Sequence, residues 1–372
     1  VRPRPFALER FFARTEFSAR HLLSTSDCQG LTLDRLLSLA DDRLLARWRT
    51  LSLGYTESDG APDLRAEIAG MYDSVEAGDV LVAAPEECVF LIMNALLEAG
   101  DRVVCTYPGY QSLYELAMSR GCEVAFWEPE EAHEWRFDPS ALEELLRPGA
   151  KLVVWNFPHN PTGALPTQND FRRMLALAEE TGAWVFSDEM YRLLEPREEQ
   201  RLPAAVDLYE RAVSLSGMSK VFGLAGLRIG WLATHDARLL QRCRELKDYT
   251  TICSSAPSEL LALVGLRARD RLLQEHRERV AGNVDAADAF FRGQTGRFSW
   301  TAPQGGTVCF PRVLCGEAED FCQRVLRDTG ILLLPSTVYS YGDAHFRLGL
   351  GRTDFTQGLE ALRTYLEGGL PD

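Results

Sequence analysis

The stretch Ser214–Trp231, SLSGMSKVFGLAGLRIGW, decides how the rest of the chain is read. One lysine, Lys220, stands among Met218, Ser219, Val221 and Phe222. A solvating lysine normally has charged neighbours, and the next charge in this run is Arg228. Apolar surroundings lower a lysine's pKa and free the amine as a nucleophile. The apolar run AVSLS (212–216) precedes the loop and RIGWLAT (228–234) follows it, so the lysine is expected just past the end of a strand.

Five further runs of this kind lie upstream: DVLVAA (79–84), RVVCTY (102–107), CEVAFW (122–127), KLVVWN (151–156) and AWVFSD (183–188). Helical patterns separate them, such as SALEELLR (140–147) and NDFRRMLALAEETG (169–182), the latter with a glycine stop. Strands alternating with helices predict a mostly parallel sheet covered on both faces. After about residue 236 the pattern changes to long, charge-laced helices. The strand-like GGTVCFPRV, GILLLPS and HFRLGLGR come next, with helical GEAEDFCQRVLRDT between the first two. This predicts a large α/β domain over 46–255 and a small α+β domain over 256–372, with residues 1–45 packing on the latter.

With a formal charge of −14, the chain of 372 residues is a poor partner for nucleic acid or an anionic membrane. Its nine cysteines show no CxxC spacing and its six histidines no metal spacing, so no metal site is expected. Reduced thiols suit a cytoplasm. The opening VRPRPFALERFF lacks a signal peptide's apolar stretch, and no apolar run approaches the 18 residues of a membrane span.

Ligands of open α/β sheets bind at the carboxyl ends of the strands. There the sequence offers Tyr110 after RVVCT, Asn160 in NFPHNPTG, Asp188 and Tyr191 in SDEMY, and the Lys220 loop. Taken singly, each suits a turn, a cap or a core position. Together they suit a flat, anionic, nitrogen-containing aromatic with a carbonyl. Tyr110 stacks on the ring, Asp188 pairs with a protonated ring nitrogen, and Asn160 and Tyr191 donate to a phenolate oxygen. Lys220 condenses with the carbonyl and Arg228 binds a phosphate. That ligand is pyridoxal 5′-phosphate.

NFPHNPTG, SDEMY and SGMSKVFGLAGLRIGW, in this order, resemble the fold type I pyridoxal-phosphate enzymes of aminotransferase class I/II. LGYTESDGAPDLRAEIA and HFRLGLGR are similar to that family's N-terminal tyrosine and C-terminal arginine segments. The resemblance implies a three-layer α/β/α large domain and a homodimer with shared active sites. It implies that Lys220 carries the Cα proton, Arg347 grips the substrate α-carboxylate, and Tyr55 reaches the partner subunit's phosphate.

Two stretches depart from the family pattern. At the phosphate cup the chain reads AAPEEC (83–88), where Pro85 has no N–H. The Glu86 N–H is the expected donor, with Ser219 or Ser216 compensating. Near the N-terminus STSDCQG (24–30) offers Asp27 where a glycine-proline turn is usual, and a carboxylate there suits a cationic side chain such as guanidinium. These features, with YPGYQSLYE, resemble the cyclases that make capreomycidine-type and streptolidine-type arginine derivatives in antibiotic biosynthesis. The implied reaction is loss of the β-hydroxyl from a hydroxyarginine and ring closure by its own guanidine. The alternative is an aminotransferase using the same lysine and a 2-oxo acid. A cofactor-sensing regulator would bring a basic winged-helix module, which this acidic chain lacks. A dinucleotide dehydrogenase would need GxGxxG after the first strand, and GLAGLRIG precedes a strand instead.

Overall fold

The computed structural model describes residues 2–368. Val1 and residues 369–372, the ends of the two outer segments, lie outside the described residues. The seven apolar runs become seven strands: β1 (Val80–Ala83), β2 (Arg102–Thr106), β3 (Glu123–Trp127), β4 (Leu152–Asn156), β5 (Trp184–Asp188), β6 (Ala212–Gly217) and β7 (Gly230–Ala233). They form one sheet in the order β1-β7-β6-β5-β4-β2-β3. Strands β2 to β6 run parallel, and β7 is antiparallel to both its neighbours, β1 and β6. Residues of β1, β4, β6 and β7 are buried throughout, which is why their sequences are nearly continuous apolar runs. Helices Pro85–Leu96 and Ala237–Lys247 pack on one face, and Pro139–Leu146 and Gln168–Thr181 on the other. The last of these ends on Gly182 at φ 69°, the left-handed stop its sequence predicts.

The remaining helical stretch divides into Ala256–Arg267 and Arg269–Arg292. The strand-like segments beyond it are short: β8 (Phe298–Ser299), β9 (Val308–Cys309), β10 (Arg312–Val313), β11 (Leu334–Pro335) and β12 (Phe346–Gly349). GGTVCFPRV makes two strands rather than one, because Pro311 cannot donate to a ladder. Strands β11-β12-β9 form a three-stranded sheet covered by helix Ala318–Thr329.

The N-terminal segment makes contacts to both parts of the chain. The Arg4 side chain grips Glu115 at 2.6–2.7 Å, and the Ala7 N–H donates to Gln111, so helix Ala7–Thr15 lies against the large sheet's helical layer. Residues 20–29 cross to β12: the Gly349 N–H donates to the Leu23 carbonyl and the Gln29 N–H to Gly351. A Cβ on Gly349 would stand 1.8 Å from the Thr25 carbonyl, and one on Gly351 2.2 Å from that of Asp27. The two glycines of LGLGR therefore let this strand press close and set Asp27 beside the Lys220 loop. All nine cysteines are free thiols, and among the described residues no helix is long and apolar enough to cross a membrane.

Candidate active site

Because β7 alone is reversed among β4 to β7, its amino end shares an edge with the carboxyl ends of β4, β5 and β6. Arg228, just before β7, thereby meets Asn156 and Asp188 at the ends of β4 and β5 and Lys220 just beyond β6. They line a cavity of about 380 Å³. Of the twelve residues singled out from the sequence, every one except Tyr55 and Ser216 lines it. Tyr55 is 90 % exposed and lies outside its own chain's cavity.

Asn156 staples two of these strand ends, accepting from the Asn160 N–H at 2.8 Å and donating to the Asp188 carbonyl at 3.0 Å. Burial pushes the Asp188 carboxyl up to about 7, against the pull of the Met190 N–H at 3.1 Å and the Lys220 charge. Burial pushes Lys220 down, and its Nζ donates to Ser26 Oγ at 3.0 Å. The Ser219 hydroxyl is buried without a hydrogen-bond partner. Ser216, on β6, is not among the cavity's lining residues.

The departure at Pro85 has a packing reason. A Cβ on Gly230 would stand 2.8 Å from the Pro85 ring, and one on Gly217 2.9 Å from Gly230. The paired glycines of β6 and β7 seat the proline that opens helix Pro85–Leu96. No side chain caps that helix, so the Glu86 N–H is an open first-turn donor. The Glu86 carboxyl accepts from Ser112 at 3.2 Å, and burial raises its pKa.

Arg347 is 2 % exposed. Its Nε and Nη2 donate to the Ser24 carbonyl at 2.9 and 2.6 Å, and Nη1 to Asn160 Oδ1 at 3.1 Å and the Tyr339 hydroxyl at 2.8 Å. The Phe12 ring lies 5.7 Å from the guanidinium carbon. Beside Glu86 and Asp188, three further carboxyls line the cavity, those of Glu9, Glu16 and Asp27. Glu9 accepts from the Tyr110 hydroxyl at 3.1 Å, and Asp27 is 3.9 Å from Arg352. Burial and the nearby Asp27 raise the Glu16 pKa. Asp27 does not cap the next helix, since Thr32 does.

Glu9, Phe12, Glu16 and Tyr339 were not singled out in the sequence. Glu9, Phe12 and Glu16 are spaced by three and four residues, one helical face, which was the available signal. Tyr339 lies in STVYSY and shows no periodicity that would mark it. Among the described residues no group of His, Cys, Asp and Glu could hold a metal ion.

The sheet, its edge cavity and the desolvated lysine define a fold type I pyridoxal-phosphate enzyme. The chain belongs to the aminotransferase class I and II family, whose model matches residues 22–361. It is 28 % identical to the capreomycidine synthase of Streptomyces vinaceus over 361 residues, 95 % of this chain and 92 % of that protein. It is 27 % identical to the aspartate aminotransferase of Thermococcus kodakarensis over 314 residues, 84 % and 81 % of the two chains. Among solved structures it is similar to a PLP-dependent aminotransferase from Streptococcus suis, with a TM-score of 0.92, 27 % identity and both chains covered in full. It also resembles the PLP-dependent cyclase OrfR, with a TM-score of 0.91, 29 % identity, and 100 % and 99 % of the chains covered.

Pyridoxal 5′-phosphate is the cofactor of this family, and the residues present fit it. The unpartnered Ser219 hydroxyl, the open Glu86 N–H and the Arg228 side chain suit its phosphate. The buried Asp188 carboxyl suits a cationic ring nitrogen.

Proposed function

We propose that this enzyme cyclises a β-hydroxylated arginine to a capreomycidine-type amino acid by losing water. The carboxyls of Glu9, Glu16 and Asp27, lining the same cavity as Arg347, carry this reading. Arg347 takes the α-carboxylate, Asp188 and Arg228 hold the two charged ends of the cofactor, the Glu86 carboxyl is engaged by Ser112, and Glu9, Glu16 and Asp27 remain for the substrate's side chain. A guanidinium satisfies them. An aspartate or glutamate side chain would be repelled, which separates this site from that of a dicarboxylate aminotransferase. The likeness to the S. vinaceus synthase and to OrfR supports the same reading.

When bound, the cofactor supplies an electron sink for the pair left at the substrate Cα. Lys220, its pKa lowered by burial, removes the Cα proton. The β-hydroxyl then departs as water, the proton it carries away being balanced by the one the guanidinium nitrogen gives up when it adds to Cβ. The substrate's own guanidine nitrogen adds to Cβ and closes a six-membered ring, and Lys220 or a neighbour returns a proton to Cα. Glu9, Glu16 and Asp27 hold the guanidine over Cβ. Tyr110 and Asn160 line the ring's place, Tyr191 donates to its phenolate oxygen, and Tyr55 of one copy completes the phosphate site of a second in a homodimer.

Mass spectrometry of the loaded enzyme with 3-hydroxyarginine, with and without a 2-oxo acid, tests the reaction. Loss of one water without acceptor, giving a product with no free guanidine, is expected. Turnover only with acceptor, yielding an oxo acid, would make the enzyme an aminotransferase. Asp27→Asn and Glu16→Gln are each expected to raise KM for the arginine-type substrate about 10- to 100-fold with little change in kcat. The affinity of a citrulline-type analogue should hardly change. Equal losses for both ligands would remove these carboxyls from substrate recognition.

The raised Asp188 pKa makes a separate prediction. Folded, cofactor-free protein holds this proton up to about pH 7, whereas an unfolded aspartate releases it near about 3.9. The contribution to stability is complete below the unfolded value and is lost as pH rises through about 7. A cation against Asp188 keeps the carboxylate favourable and removes that loss. The Tm gap between loaded and cofactor-free protein should therefore widen from pH 5 to 8, and Asp188→Asn should flatten it. A gap independent of pH would count against Asp188 as the ring's partner.

A further inference from the structure

The cavity holds one hydroxyl that the proposed reaction leaves without a task. Ser26 lines it beside Lys220 and Asp27, is buried at 6 % exposure, and accepts from Lys220 Nζ at 3.0 Å. Burial raises the Tyr191 pKa, and Arg347 and the Ser26 hydroxyl pull against that rise, so Ser26 faces Tyr191 as well. The backbone around Ser26 is fixed on both sides. The Thr307 hydroxyl donates to the Ser26 carbonyl at 2.6 Å, the Cys28 N–H to the Lys220 carbonyl at 3.0 Å, and the Gly349 N–H to the Leu23 carbonyl at 2.7 Å. The oxygen of Ser26 and the nitrogen of Lys220 are thus held within the reach over which a proton passes directly.

The neighbours of Ser26 along the chain mark the two ends of the substrate. The Ser24 carbonyl accepts from Arg347, the residue for the α-carboxylate, and the Asp27 carboxyl is one of those for the guanidine. Cβ of a hydroxyarginine lies between its carboxylate and its guanidine. A residue between those two contacts that also touches the base for Cα is placed to meet the β-hydroxyl. The other hydroxyls of the cavity are taken. Tyr110 donates to Glu9 at 3.1 Å, and Thr25 accepts from Arg352 at 2.9 Å and donates to the Leu22 carbonyl at 3.4 Å. Tyr191 and Ser219 serve the cofactor's phenolate oxygen and phosphate. Hydroxide is a poor leaving group, so the β-oxygen needs a proton donor as it departs.

We propose that Ser26 is a catalytic residue that relays a proton from Lys220 to the departing β-hydroxyl. The inference rests on the proposed dehydration of a hydroxyarginine. The Cα proton moves to the Lys220 nitrogen, and the electron pair it leaves becomes the second bond between Cα and Cβ. The Cβ–O bond breaks with its pair on oxygen. Lys220 gives a proton to Ser26 Oγ as the Ser26 proton passes to that oxygen, which leaves as water. Lys220 is then a neutral amine and Ser26 again a hydroxyl. The amine is free to carry the proton released by the guanidinium back to Cα.

Dehydration and Cα exchange, measured side by side on the loaded enzyme, test it. With 3-hydroxyarginine, Ser26→Ala is expected to lower the rate of water loss about 100-fold. Arginine has no β-hydroxyl to lose. With arginine in heavy water, the same variant should lower deuterium uptake at Cα by only about 3-fold, because Lys220 is retained and loses one hydrogen bond. In cofactor-free protein, the pH at which reductive methylation of Lys220 is half-maximal should move down in Ser26→Ala, since the ammonium loses an acceptor. Equal losses of dehydration and exchange would make Ser26 a support for Lys220 and overturn the proposal. So would a methylation profile that does not move. Ser26→Gly, which also lacks the hydroxyl, decides by the same comparison if Ser26→Ala does not fold. A parent enzyme that does not dehydrate 3-hydroxyarginine defeats the relay and the dehydration reading together. A parent that does, with a variant as fast, defeats the relay alone.

Discussion

Lys220→Ala is expected to lower kcat by at least about 10⁴-fold, because it removes the nucleophile and the carrier of the Cα proton together. The fold should survive. The amine makes one hydrogen bond, to Ser26 Oγ, and it sits where burial already disfavours its charge. Its removal leaves the arginine and carboxylate pairs of the cavity untouched, so Tm should stay level or rise slightly. Borohydride should no longer trap the cofactor covalently on the chain, which mass spectrometry reads directly. Added methylamine, which supplies a base of similar chemistry, should restore part of the activity. A variant that keeps several per cent of the parent kcat would mean that another group moves the Cα proton.

Arg347→Met is expected to lower kcat/KM by about 10²-fold or more, mostly through KM, and also to lower Tm. The two effects have one origin. The guanidinium donates four hydrogen bonds, to Ser24, Asn160 and Tyr339. Removing it strands buried acceptors as well as the anion-binding fork, and truncating a buried, hydrogen-bonded charge typically costs about 2–5 kcal/mol. Arg347→Lys should recover part of the Tm but little of the KM, because an ammonium cannot reproduce the planar fork. Tyr339→Phe removes one acceptor of that network and should cost about 10-fold or less. Steady-state kinetics with calorimetry on the three variants separates the cases, and an unchanged KM in Arg347→Met would assign the α-carboxylate to another residue.

The seven strands were legible because a buried parallel sheet leaves a local trace, a short apolar run closed by turn residues. The residues directly after those runs were legible for the same reason, since the end of a strand fixes the position of the next few side chains. Arg228 belongs with them only because β7 is reversed, which no local pattern announces. The N-terminal helix was harder. Glu9, Phe12 and Glu16 share one face, but amphipathic spacing does not say what that face will meet. Tyr339 had no pattern at all, and its place beside Arg347 is set by the turn after β11.

By itself, the sequence determined the strand series, the desolvated lysine and the family those motifs mark, because each is written within a few consecutive residues. Only the tertiary structure decided which charges share the cavity. Asp27 reaches it because Gly349 and Gly351 admit the backbone of residues 23–28, which a side chain would exclude, and Glu9 and Glu16 because residues 4–12 are anchored far along the chain at Gln111 and Glu115. The physical reason is one of range. Backbone propensity and burial act over neighbours, whereas the balance of charge in a site is set by segments more than a hundred residues apart, brought together by packing.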